Sequence, residues 1–242
     1  MHLTIAGCGD AFSSGGRFHT CFWLDHDQGS ALIDCGATSL TALKRQGLKP
    51  EAADTVLITH PHGDHMGGLP FLLIDRAFRA GKLAPIRLVG PVGLGARLEA
   101  LSAALYPGAW RQLPFDIQIT ELMPGDATEV AGLDIATEAM RHPSGAPTLG
   151  FRVAADGKTL AFTGDTAWCD GVERLADGAD LLIIECSAMC EGVPWHISHE
   201  ELVRHRDRLG ARRIALSHMG EDVLAAAPAD FERLDDGRVI RL

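Results

Sequence analysis

The stretch Thr59-His60-Pro61-His62-Gly63-Asp64-His65 places three imidazoles and one carboxylate within six positions. It follows the apolar run Val56-Leu57-Ile58, so a buried strand over 55–59 delivers a polar cluster at its end. Imidazole nitrogen and carboxylate oxygen are ligands for zinc and other borderline divalent ions. In extended chain His60 and His62 alternate and can point the same way. Asp64 and His65 open the next helix, where neighbouring side chains diverge by about 100°. One cluster can therefore serve two metal ions with two ligands each. The competing reading is a polar turn rich in histidine by accident, and 11 histidines in 242 residues make that a poor account.

Two ions need more ligands, and the chain offers them where three further apolar strands run out. His142 follows the strand 133–140, Asp165 follows the strand 159–163, and His218 follows the strand 213–217. Each alone would pass for an ordinary loop residue. Together they repeat one placement, the strand-end position where open α/β architectures collect their ligand sites. Further strands are expected at 2–6, 21–24, 31–33, 86–89, 115–122, 150–153 and 181–185. Helices are expected at 38–46, 64–80 with Gly81 as the stop, 92–105, 171–176 and 198–209, the last with Ser198 as N-cap and Glu201 three residues on. Each half of the chain has several strands and then α-β alternation. Two mixed sheets packed together, with helices outside, satisfy that order in one domain spanning 1–242.

The pattern His60-x-His62-x-Asp64-His65, then His142, Asp165 and His218, resembles the metallo-β-lactamase superfamily, and most closely its ribonuclease Z-like branch. Leu32-Ile33-Asp34-Cys35-Gly36, Phe162-Thr163-Gly164-Asp165-Thr166 and Leu216-Ser217-His218 carry the resemblance along the whole chain. It implies an α/β protein with a four-layer αββα sandwich and a two-metal site between the sheets. By position, His60, His62 and His142 would hold one ion, Asp64, His65 and His218 the other, and Asp165 would bridge them. The resemblance also implies that Asp34 braces the metal loop. His196, in Trp195-His196-Ile197-Ser198, would contact the scissile phosphate with Glu185 as its support, and His199 competes for that role. Asp64, Glu185 and His196 are thus the expected catalytic set. The expected cofactor is a pair of divalent ions, zinc first, with manganese, iron, nickel or cobalt accepted by the same donors. The expected reaction is attack of a metal-bridging hydroxide on a phosphorus or carbonyl centre.

Composition narrows the substrate. The chain has 22 basic and 32 acidic residues, a net charge of −10, which argues against a broad nucleic-acid footprint. The tRNA-cutting relatives carry a long arm between the positions of His142 and Asp165. Here only 22 residues separate the two, and the strands 150–153 and 159–163 with the turn Ala155-Asp156-Gly157 already use them. The expected substrate is therefore a small anionic ester, a phosphodiester with cyclic ones included, and tRNA is not expected as a partner. Lactone, carboxylic ester or sulfate ester hydrolysis, tRNA 3′ processing, and a non-catalytic metal-binding protein are the alternatives. The six cysteines form no CxxC pair and no secretion signal is visible, which reads as reduced thiols in the cytoplasm. No apolar run reaches the ~18 residues of a membrane span. The resemblance suggests a homodimer, with the apolar stretch 71–78 as part of its interface. The loop 13–17 reads as a hairpin turn, with a phosphate cradle including Arg17 as its alternative.

Overall fold

The computed structural model describes residues 1–79 and 84–242. Its fourteen described strands form two seven-stranded sheets. The first holds β1 (His2–Gly7), β2 (Cys21–His26), β3 (Gly29–Ile33), β4 (Ala53–Leu57), β5 (Ile86–Pro91), β6 (Ile117–Leu122) and β14 (Val239–Arg241), in the order β14-β1-β2-β3-β4-β5-β6. The second holds β7 (Ala127–Val130), β8 (Leu133–Met140), β9 (Thr148–Ala155), β10 (Lys158–Phe162), β11 (Leu181–Glu185), β12 (Ile214–Ser217) and β13 (Glu232–Arg233), in the order β13-β12-β11-β10-β9-β8-β7.

Period-two alternation decides which faces meet. Leu3, Ile5, Phe22, Leu24, Ile33 and Leu57 of the first sheet pack on Leu133, Ile135, Phe151, Val153, Phe162 and Ile183 of the second. The rings of Phe22 and Phe162 meet edge to face across the layers, centroids 5.1 Å apart. The intervening residues face outward. Leu32, Val56 and Ile58 join a second core under the helices α1 (Ser39–Arg45), α3 (Leu69–Arg79) and α4 (Leu94–Leu105). Leu182, Ile184 and Leu216 join a third under α5 (Asp170–Ala176), α6 (His199–Arg204) and α7 (Glu221–Ala226). Three apolar interfaces separate four layers, α, β, β, α. Strands β3 to β6 run parallel, as do β10 to β13, so their carboxyl ends gather loops at one rim.

Two expected helices are broken. The span 64–80 divides into α2 (Gly63–Met66) and α3 (Leu69–Arg79), and its last residue and its stop at Gly81 lie outside the described residues. The break sits at Gly67-Gly68, where the Gly68 N–H donates to Cys35 O at 2.8 Å and an added Cβ would stand 2.2 Å from Gly36 O. Contact with the Asp34-Cys35-Gly36 turn outweighs helix continuity there. The span 198–209 divides into α6 and a 3-10 turn at Arg206–Arg208. Its start is as expected: Ser198 Oγ accepts from Glu201 N–H at 3.2 Å, and Ser198 N–H donates to Glu201 at 3.1 Å. The short elements β7, β13, β14 and α7 were not expected. The Asp156-Gly157 turn joins β9 to β10 with both residues at positive φ, the two-residue hairpin geometry. All six cysteines are free thiols.

Candidate metal centre

The carboxyl ends of β4, β8, β10, β11 and β12 converge at the rim between the sheets. Beyond β4 the chain bends at Thr59 and, from an extended His62, enters α2, which carries Asp64 and His65. His142 stands two residues past β8, Asp165 three past β10, and His218 directly after β12 in the left-handed conformation (φ 51°).

These residues form two groups. In the first, His62 Nδ1 lies 3.1 Å from both His60 Nε2 and His142 Nε2, and Asp165 Oδ2 lies 3.8 Å and 3.9 Å from the same two nitrogens. In the second, His65 Nε2 lies 3.2 Å from Asp64 Oδ2 and 3.2 Å from Asp165 Oδ1. His218 Nε2 lies 3.3 Å from Asp64 Oδ2 and 3.4 Å from Asp165 Oδ2. Asp165, 3% exposed, therefore stands between the groups.

The outer ring nitrogens are tied to the protein. His65 Nδ1 donates to Asp34 Oδ2 at 2.7 Å. His60 Nδ1 donates to Thr59 Oγ1 at 3.0 Å, and that hydroxyl in turn donates a hydrogen bond to Asp34 Oδ2 at 2.9 Å. His142 Nδ1 donates to the Trp195 carbonyl at 3.2 Å. Each such ring then turns its Nε2 inward, and that nitrogen is a bare donor atom whenever the ring is neutral. Three imidazole nitrogens converging at 3.1 Å share too few protons to pair, while His65 Nε2 and Asp165 Oδ1 are buried without a hydrogen-bond partner. Converging lone pairs and orphaned donor atoms are what a cation would satisfy, so the donor set fits divalent metal ions in both groups.

Charge follows the same geometry. Burial, with the His65 charge adding, pushes His60 well below the usual imidazole range. Burial opposes ionisation of Asp64 and Asp165, but the His65 and His218 rings overcome it and hold both carboxyls well below the usual range. His65 is driven up against its own burial by Asp165, Asp64 and Asp34.

Beside the second group, His196 Nδ1 lies 2.9 Å from Glu185 Oε2 at the end of β11. The backbone N–H of Thr166 donates to the other oxygen of Glu185. The His196 ring stacks on His218 at 5.7 Å between centroids and meets His142 at 4.9 Å. His199, the rival on sequence, turns away: its Nε2 lies 3.3 Å from Asp230 and its ring packs on Phe231. Burial, with Asp165 adding, pushes the Glu185 carboxyl well up.

The centre floors a cleft of about 660 Å³ whose outer walls carry Phe12, Val193, Glu221 and Asp222. The loop 13–17 is a turn. Asp10 accepts from Ser14 N–H at 2.8 Å, Gly15 N–H donates to Glu221 at 2.9 Å, and Arg17 Nη2 pairs with Asp235 at 3.2 Å, so these three donors already have carboxylate partners. Sequence reasoning overlooked Thr59 as a relay, although it lies inside the decisive stretch, and it overlooked the Trp195 carbonyl and the Phe12 and Glu221 walls.

A family model described as Anti-Pycsar protein Apyc1 matches residues 1–234. The chain belongs to that family. Among curated relatives, the Apyc1-family chain is 27% identical over 239 residues to a ribonuclease Z of Mycobacterium bovis, covering 90% of this chain and 85% of that one. It is 27% identical over 290 residues to a ribonuclease BN of Erwinia tasmaniensis, covering 97% and 93%. Among solved structures, the short form of human tRNase Z superposes with a TM-score of 0.80 at 24% identity, covering 100% and 99%. The metallo-β-lactamase fold protein YhfI of Bacillus subtilis gives 0.80 at 20% identity, covering 99% of each. A diphosphatase from the PhnP family gives 0.79 at 18% identity, covering 100% and 97%. The Apyc1-family chain thus lies in the metallo-β-lactamase superfamily, on its ribonuclease Z-like branch, and has that hydrolase fold. No helix among the described residues is long and apolar enough to cross a membrane.

Proposed function

We propose that this chain is a dinuclear metal-dependent phosphodiesterase acting on small phosphodiesters, cyclic ones included. The observation that carries the reading is the Glu185–His196 pair, 2.9 Å apart, set against His142 and His218 beside both donor groups. His60, His62 and His142 would hold one ion and Asp64, His65 and His218 the other, with Asp165 standing between the two groups. Two divalent ions there, zinc by preference, would draw charge from a phosphoryl oxygen and lower the pKa of a water molecule.

The chain's own groups do the rest. Glu185 Oε2 keeps a proton on His196 Nδ1 and fixes the ring's orientation, so that Nε2 is the atom that faces the cleft. A proton at Nε2 can then pass to the leaving oxygen as the phosphorus–oxygen bond breaks. Asp34 and Thr59 hold the His65 and His60 rings in position throughout. A carbonyl ester needs no such acid when its leaving alkoxide is good, which ranks lactone and carboxylic ester hydrolysis below phosphodiester hydrolysis. A second reading, cleavage at the 3′ end of tRNA, draws on the names of the ribonuclease Z and BN relatives. The test is a side-by-side screen of metal-reconstituted protein on bis-aryl phosphates, cyclic phosphates, lactones, sulfate esters and precursor tRNA. Turnover confined to lactones or sulfates would overturn the reading.

A further inference from the structure

The walls of the cleft carry negative charge and no positive side chain. Asp10, Glu221 and Asp222 line it, and no arginine or lysine does among the described residues. These carboxylates are fixed in place. Asp10 accepts from Ser14 N–H and Ser14 Oγ at 2.8 Å and 2.6 Å and from Phe12 N–H at 3.2 Å. Glu221 accepts from Gly15 N–H at 2.9 Å. Asp222 accepts from Met189 N–H at 2.9 Å and from its neighbour Val223 N–H at 2.8 Å. All of these donors are backbone N–H groups or a serine hydroxyl, so none cancels the charge. Gly15, at φ 63°, sits against Leu224 of α7 and the Arg17 guanidinium, and Arg17 lies outside the cleft lining and is itself paired with Asp235 at 3.2 Å.

Resting on the phosphodiesterase reading, we propose that this wall selects substrates with a single negative charge, and that Glu221 is the residue that rejects a second phosphate. The donor groups on the floor take the one phosphodiester charge. A further phosphate on the same substrate would have to lie along the walls, where fixed carboxylates repel it and no guanidinium or ammonium answers it. A neutral remainder, apolar or rich in hydroxyl and amine donors, meets Phe12 and Val193 or finds carboxylate acceptors instead. The preferred substrate class is therefore a monoanionic diester with a neutral remainder. Oligonucleotides and diesters bearing a terminal phosphate are disfavoured.

A matched pair of substrates tests this: thymidine 5′-(4-nitrophenyl phosphate) and the same compound with a 3′-phosphate. Both release the same nitrophenolate from the same diester. In the metal-loaded protein kcat/KM is expected to be roughly tenfold or more higher for the compound without the 3′-phosphate. Glu221→Gln keeps an acceptor for Gly15 N–H and removes the charge, and should narrow that ratio by about threefold. Adding about 0.5 M salt to the unaltered protein should narrow it as well, since screening acts on charge alone. Equal kcat/KM for the two compounds, or a ratio that neither Glu221→Gln nor salt changes, would overturn the proposal and leave the phosphodiesterase reading standing. Turnover of neither compound would remove that reading, and this proposal with it.

Discussion

Asp34 Oδ2 accepts the Nδ1 proton of His65 at 2.7 Å, and the same carboxylate reaches His60 through the Thr59 hydroxyl. One fully buried side chain thus orients a ring in each donor group. Its backbone is left-handed at φ 57°, a conformation asparagine and aspartate tolerate better than most residues. Asp34→Asn should keep that turn but can present an N–H where His65 Nδ1 needs an acceptor. Metal affinity, measured by competition with a chromogenic chelator, is expected to fall about 10- to 100-fold. Unchanged affinity would mean that the rings hold their places without Asp34.

Elemental analysis of protein prepared without chelators should approach two metal ions per chain. Asp64→Ala and His218→Ala should each bring the value toward one, because both residues belong to the second group. Chelation should lower the melting temperature. An ion at a thousand times its dissociation constant contributes about 4 kcal/mol, which for a domain of this size is roughly 10 °C. A maximum of one ion, unaffected by either substitution, would refute the dinuclear reading.

His196→Ala is expected to lower phosphodiester turnover by roughly 10² or more while metal content stays the same, as for loss of an acid/base group. Asp165→Ala should lose metal and activity together, since Asp165 lies within 4 Å of ring nitrogens in both groups. His199→Ala should retain activity because that ring faces Asp230 and Phe231. An inactive His199→Ala beside an active His196→Ala would reverse the assignment.

The residues that meet at this centre were legible because their types are rare and their placement repeats. A histidine or aspartate at the end of an apolar strand can be read from a few neighbours, and seven of them recur at four strand ends. The sandwich was legible for a related reason: alternation marks strands such as β1 and β8, and an unbroken apolar run marks β11, without any partner. What escaped depends on approach rather than pattern. The helix break at Gly67-Gly68 is set by the Cys35-Gly36 backbone, more than thirty residues earlier. β13 and β14 span two and three residues, too few to show a period, and exist through pairing with β12 and β1. The Trp195 carbonyl has no side-chain signature at all. Phe12 and Glu221 meet at one cleft only because both sheets end there.

Phe12 is 88% exposed, yet its loop is fixed by three hydrogen bonds to Asp10. A large apolar ring held at the mouth of a cleft offers a flat surface to a substrate's apolar group. Phe12→Ala should raise KM for aryl phosphodiesters by about three- to tenfold, the range of a lost ring contact, with a smaller change in kcat. An equal effect on methyl-substituted diesters would show that the ring does not contact the substrate.

Precursor tRNA should be a poor substrate. The segment from His142 to Asp165, where the tRNA-cutting relatives are expected to carry their arm, is filled here by β9, the Asp156-Gly157 turn and β10. Ser144 and Thr148 close the short connection before β9 through a hydrogen bond of 3.0 Å, leaving no excursion from the body of the protein. Nor does the cleft offer a substitute grip, since its walls are acidic, and the net charge of −10 repels a polyanion most strongly at low salt. A small diester feels chiefly the donor groups at the floor. The expected result is turnover of small phosphodiesters, with cleavage of precursor tRNA slower by orders of magnitude and tRNA binding too weak to compete. Gel analysis of 3′ cleavage beside a spectrophotometric diester assay, on one metal-loaded preparation, decides the matter. Specific 3′ cleavage at nanomolar protein with no turnover of small diesters would establish the tRNA reading in place of this one.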